Sequence, residues 1–200
     1  MSIAASGTYG KALTFGTWKG RPYVRERVDP SNPKSAKQQG VRAMLKYLAQ
    51  IWATIKVASA ASWGAAATAK SISTFNAYIS ANLKNWQEDL APIRLSTDAR
   101  AATPSTITSN VATGAKGSAS VAIVLGAGAG QAGAIVMRSA TTITAFDWTK
   151  VVGVIPATAS GTTPFTDSPL VAGTYHYNVI TFSTDGKLGT IGTDSSATVT

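Results

Sequence analysis

The chain has 200 residues, 44% of them hydrophobic and only 14% charged, with a net charge of +9 and no cysteine. That length allows one medium domain or two small ones, and the apolar fraction is enough to bury a core. The missing cysteine excludes disulfides, thiolate metal sites and cysteine catalysis, and no apolar run approaches the ~20 residues of a membrane span.

The charge is unevenly placed. Residues 1–103 hold 14 Lys and Arg against 5 Asp and Glu, whereas residues 104–200 hold 4 against 4. The whole excess therefore sits in the first half, as expected of two segments with different roles. The opening residues lack a basic stretch followed by an apolar core, so the expectation is synthesis in a cytoplasm without the usual export signal.

Residues 1–32 read as an extended basic arm. Gly7, Gly10, Gly16 and Gly20 punctuate it, and Tyr9, Phe15, Trp18, Tyr23 and Val24 between them favour strands. It is too glycine-rich to form a core alone, so it is expected to be an arm or an edge hairpin paired with another element. A basic cluster, Lys11, Lys19, Arg21, Arg25, Arg27, Lys34, Lys37, Arg42 and Lys46, runs from this arm into the first helix, with Tyr9, Phe15, Trp18 and Tyr23 interleaved. That pattern suits a surface for single-stranded nucleic acid. It equally suits an arm lying on an acidic protein neighbour. Strand alternation places Tyr23, Arg25 and Arg27 on one face and Val24, Glu26 and Val28 on the other, which fits a strand added to a partner's sheet. No nucleic-acid-binding motif is recognisable, so a protein partner is the preferred expectation.

Residues 33–90 read as a helical domain. Asn32 or Ser31 is placed to cap the first helix, with Pro33 in its first turn. Val41, Met44, Leu45, Leu48, Ile51, Trp52 and Ile55 follow helical spacing. Gly40 weakens this helix by up to ~1 kcal/mol relative to Ala. A second helix is expected from about Ser59 to Lys70 around Trp63. A third follows Ser73 or Thr74, with Phe75, Tyr78, Ile79, Leu83 and Trp86 on its stripe. A unit this small has a thin core, so its apolar residues are expected to be buried partly between subunits. Glu88 and Asp89 are adjacent rather than paired on one helix face, and read as solvated. Residues 91–104, with two prolines and no period, read as a linker.

From Ser105 the pattern becomes short β-type runs: "STITSNV", "SASVAIVL", "GAIVMRS", "KVVGVIP", "TTPFTD", "GTYHYNVITFS" and "SATVT". Asp185-Gly186 signals a hairpin turn. About seven short strands in residues 105–200 is the signature of a β-sandwich. The fold class is therefore α+β in two parts: an arm with a small helical domain, then an all-β sandwich.

Within "LGAGAGQAG", Gly128, Gly130 and Gly133 spell G-x-G-x-x-G, and Asp147 follows nineteen positions after Gly128. A dinucleotide site needs a helix straight after the third glycine. Here Ile135, Val136, Ile143 and several threonines follow, which make a poor helix. The stretch reads as a turn between strands, and no cofactor is expected. His176 is the only histidine and lies within a strand. One histidine with scattered acids makes no metal site, and no nucleophile elbow accompanies it. No catalytic residue is assigned.

The C-terminal half resembles fibronectin type III and related immunoglobulin-like domains. The resemblance lies in "VMRS", Trp148, Val151, "FTDSPLVAGTYHYNV" and "STDGKLG". It implies that Tyr175 is a tyrosine corner, its hydroxyl returning to nearby backbone, and that Tyr177 stands where antibody domains place a cysteine. "GTYGKALTFGTWKGRPYVRERVDPSNPKSAKQQGVRAMLKYLAQIW", with Phe75-Asn76, resembles a class of phage proteins tied to virion structural genes. Together these imply a non-enzymatic virion protein, made in the host cytoplasm. The leading expectation is a capsid-associated cement or decoration protein, held by its arm and helices, with a projecting sandwich. A head-tail connector, collar or tail protein is the close alternative, and a nucleic-acid-binding protein the alternative of another class. The partners implied are other virion proteins and further copies of the chain, with no membrane. Tyr9, Lys11, Phe15, Trp18, Lys19, Arg21, Tyr23, Arg25 and Arg27 are the residues expected to meet the partner.

Overall fold

In the computed structural model, residues 6–10, 12–27, 35–126, 131–156 and 162–200 are described. The chain divides into two compact units, Met1–Lys34 and Ser35–Thr200. The first is a three-stranded antiparallel sheet of β1 (Gly7–Tyr9), β2 (Leu13–Trp18) and β3 (Arg21–Glu26), in that order.

The second unit opens with α1 (Ala36–Ser62), α2 (Gly64–Lys70) and α3 (Thr74–Gln87). The observed cap of α1 is Ser35, whose hydroxyl accepts the Gln38 amide at 3.4 Å. Ser31, Asn32 and Pro33 lie outside the described residues. Ser73 caps α3 by accepting the Asn76 amide at 3.1 Å, satisfying a donor that the first turn otherwise leaves open. α1 runs on through Ser59, where a second helix was expected to start. The break falls instead at Trp63, whose indole N–H donates to the Arg94 carbonyl at 3.0 Å.

The strands that follow are β4 (Ile107–Ala115), β5 (Ser118–Leu125), β6 (Gln131–Ser139), β7 (Val151–Pro156), β8 (Thr162–Asp167), β9 (Gly173–Ser183), β10 (Leu188–Ile191) and β11 (Ser195–Val199). They make a three-stranded sheet, β4-β5-β8, and a five-stranded sheet, β10-β9-β6-β7 with β11 also on β9. All pairings are antiparallel. β10 meets β9 at Phe182 and Ile180, and β11 continues along it from Tyr177 to Gly173. The two are halves of one edge strand. "LGTI" of β10 is too short and glycine-containing to stand out as a run in the sequence.

The five-stranded sheet is covered on both faces. Ala134, Val136, Tyr177 and Val179 point to the three-stranded sheet and pack with Val121 and Ile123. Ile135, Met137, Ile180 and Phe182 point the other way, onto Met44, Tyr47 and Leu48 of α1. β6 is accordingly buried at six consecutive positions, as expected of a strand with no solvent face. The fold is α+β with a β-sandwich, and the helices form a third layer on it.

This packing corrects three expectations. No break in packing separates the helices of residues 35–90 from residues 105–200, because helices and strands share one core. Met44 and Leu48 of the α1 stripe are covered by this chain's own sheet rather than left for another subunit, whereas Val41 and Leu45 stay exposed. Residues 91–104 are not a free linker. The Asn82 side chain bonds Ile93 as both donor and acceptor at 3.0 and 2.7 Å. Asp98 accepts the Arg94 and Leu95 amides at 2.9 and 2.8 Å. Arg100 reaches the Ala91 and Gly186 carbonyls. Asp185 accepts the Ala101 and Ala102 amides at 2.5 and 2.8 Å. The Ser183 hydroxyl, followed by these amides, holds the Asp185 carboxyl below the usual carboxylate range. The segment is a strap fastened to α3 and to the β9–β10 turn.

Gly40 gives a direct test of the three-layer packing. A Cβ there meets the Val151 carbonyl oxygen of β7 at 2.7 Å. Helix propensity alone favours Ala by ~1 kcal/mol, but forcing a methyl against backbone costs typically about 1–3 kcal/mol. We expect Gly40→Ala to lower the urea midpoint; a raised midpoint would show that α1 does not sit this close to β7.

Candidate functional site

The first unit is built by its turns. Lys19 and Gly20 link β2 to β3 with φ of 49° and 78°, the two positive values a tight two-residue hairpin loop requires. Trp18 then lies opposite Arg21, Gly16 opposite Tyr23, and Thr14 opposite Arg25. Opposed residues share a face, so Trp18, Arg21, Tyr23 and Arg25 all stand on one side. They line a shallow concavity of about 400 Å³. Gly16 makes room for Tyr23, since a Cβ on it would meet the phenol oxygen at 2.7 Å. The ring thus lies across the sheet between the two arginines.

The opposite face carries Leu13, Phe15, Val24 and Glu26 with Tyr9 of β1. Trp18 is 70% exposed and Tyr9 76%, and all of β3 is exposed. Of the nine residues expected to meet a partner, four are brought together in the concavity. Tyr9 and Phe15 lie on the other face, Lys19 at the turn, and Arg27 just past β3, where its amide donates to Ala12 at 2.8 Å. Lys11 lies outside the described residues, as does Val28 from the expected alternation.

The edges of this sheet are poor templates for strand addition. The Arg27–Ala12 bond sets the alternation of bonded and non-bonded pairs. Arg21, Tyr23 and Arg25 thereby turn their amides to β2, leaving Pro22, Val24 and Glu26 on the free edge. Pro22 has no N–H to offer there, a common way of blunting an edge. The other edge is only three residues long. The expected added strand thus finds few donors, and the faces are the larger resource.

In the second unit the remaining candidates are engaged in contacts within the fold. His176 Nδ1 lies 2.6 Å from Asp194 Oδ2, and the Asp194 carboxylate also accepts the Ile143 amide at 3.0 Å. Ser139 and Ser196 oppose His176 on the neighbouring strands. The Ser139 hydroxyl, however, is engaged with Thr141. The pair therefore ties the loop after β6 to the β10–β11 junction. Gly133 lies inside β6, where a Cβ would sit 2.3 Å from the Ile155 carbonyl oxygen, so it permits close strand approach and starts no helix. Gly128 and Gly130 lie outside the described residues. Asp147 caps a 3₁₀ turn at Trp148–Lys150. Burial pushes its carboxyl up, but the Thr149 hydroxyl and amide and Lys150 outweigh this and leave it below the usual range. Asp89 accepts the Trp148 amide at 2.8 Å, so it is a bonded residue and not only a solvated one. Glu88 pairs loosely with Lys84 on the surface. Among the described residues no group of three or more metal-ligating side chains is assembled, and no helix is long and apolar enough to cross a membrane.

The Tyr175 hydroxyl donates to the Val171 carbonyl at 2.9 Å, the geometry of a tyrosine corner. Tyr177 is fully buried, and its hydroxyl donates to Asp167 at 3.1 Å. Burial, reinforced by the Asp167 charge, pushes that phenol far above its usual pKa. Asp167 also pairs with Arg138 at 2.7 Å, and the guanidinium lies 5.7 Å from the Tyr175 ring centroid. The Arg138–Asp167 pair at the centre of this knot has no signal in the sequence, because its two residues come from separate runs.

A scan of protein-family models and a search of curated proteins each returned no match. Among solved structures, the chain is similar to a Fn3-like protein from Clostridium thermocellum. The identity is 18% and the TM-score 0.38, covering 50% of this chain and 96% of that one.

Asp167 supplies the test of the buried knot. Removing one partner of a buried ion pair leaves the other charge uncompensated, at a cost of about 3–5 kcal/mol. Asp167→Ala is expected to destabilise the sandwich by that amount in urea unfolding. A loss under about 1 kcal/mol would mean that Arg138 finds solvent easily and the pair is not buried.

Proposed function

We propose that the chain is a non-enzymatic structural component of a phage particle, a capsid-associated cement or decoration protein that its N-terminal sheet attaches to other virion proteins. One observation carries this reading. The sheet is a compact unit of its own, yet Tyr9, Trp18, Tyr23 and Val24 are all 40% or more exposed. Three strands need a covered apolar face to be stable, and exposed aromatic and arginine residues are typical anchors at interfaces. The helices are less suited to anchoring, because their largest apolar residues are spent in this chain's own core. The resemblance to phage virion proteins read from the sequence of residues 7–86 suggests the setting. Repeated copies on a symmetric particle follow from that setting.

The reading is tested by sedimentation. The full chain is expected to co-sediment with particles assembled without it, and a chain lacking residues 1–34 to stay in the supernatant while melting as a folded protein. A full chain that remains a stable monomer and never sediments with particles contradicts the proposal.

A further inference from the structure

We propose that the concave face of the N-terminal sheet binds an extended acidic protein segment, with two carboxylates four residues apart seated on Arg21 and Arg25 and an apolar side chain between them on Tyr23. This rests on the assembly reading above and names the chemistry of the partner.

The spacing carries the inference. Arg21 and Arg25 stand four residues apart on one face of β3. At ~3.4 Å per residue their Cα atoms are about 14 Å apart. An extended peptide laid along β3 repeats its side chains on the same period, so acids at positions i and i+4 fall in register with the two guanidinium groups. Each guanidinium matches a carboxylate bidentately. Position i+2 then falls over Tyr23, which lies across Gly16 with its outer side open. Trp18, opposite Arg21, walls one end.

Charge separates this occupant from the others. The same face of a second copy offers the same two arginines and repels. In a nucleic-acid strand the phosphates follow one another closely enough that at least one falls between the two guanidinium groups, over the Tyr23 ring, where no cation of this face meets it. An acid-x-apolar-x-acid segment is matched one to one. With Pro22 on the free edge, the segment is held by side chains across the face and not by a ladder of backbone bonds.

The test uses the full chain and fluorescence anisotropy with three labelled probes. The first is a twelve-residue peptide containing Asp-Thr-Val-Thr-Asp, the second the same peptide with Asn for both Asp, and the third a twenty-residue oligothymidylate. The acidic peptide is expected to bind, the Asn peptide at least tenfold more weakly. Arg21→Gln combined with Arg25→Gln is expected to weaken the acidic peptide at least tenfold without changing the melting temperature. Equal binding of both peptides, no binding, indifference to the double variant, or tighter binding of the oligonucleotide each overturns the inference. Sedimentation with particles distinguishes the two readings. A double variant that still sediments, with no peptide binding, removes this docking chemistry and leaves the assembly role standing.

Discussion

The contact between α1 and the outer face of the five-stranded sheet organises the second unit. Met44 and Leu48 are fully buried there, and the Tyr47 ring meets Phe182 edge-on at 5.4 Å. Burial pushes the Tyr47 phenol up to about 12. A sheet with one face on another sheet and the other on a helix has no solvent side, and β6 and the second half of β9 follow from that. So does Gly40, where an added Cβ would meet the Val151 carbonyl. The strap at residues 91–104 completes the layer by tying α3 to the turn after β9.

Much of this architecture is legible in the sequence, and the reasons are local. Helical spacing marks α1 and α3, Ser73 marks a helix start, and alternating β-branched runs mark most strands. The Asp185-Gly186 turn is also local, with Gly186 at a φ of 88°. What cannot be read depends on partners far away in the chain. The strap looks like a linker because its fasteners, Arg100 and Asp185, act across more than eighty residues. The helices look under-packed because nothing in their own segment says that a sheet covers them. Gly40 looks like a helix flaw for the same reason.

The N-terminal sheet shows a similar division. Its strand character, its charge and its aromatic residues are visible as a pattern along the chain. The choice among its members is not, because it depends on the register set by Lys19 and Gly20. That register brings Trp18 beside Arg21 and sends Phe15 and Tyr9 to the opposite face. It also places Pro22 on the free edge, which turns an expected strand-adding arm into a sheet better equipped to bind through its face.

Attachment through that face is the central claim, and photocrosslinking in the assembled particle tests it most directly. With p-benzoylphenylalanine in place of Trp18, irradiation is expected to link the chain to a different, acidic virion protein. The same group at Val171, an exposed sandwich position, should give little of that product. Crosslinks from Val171 to virion proteins with none from Trp18 would contradict the account.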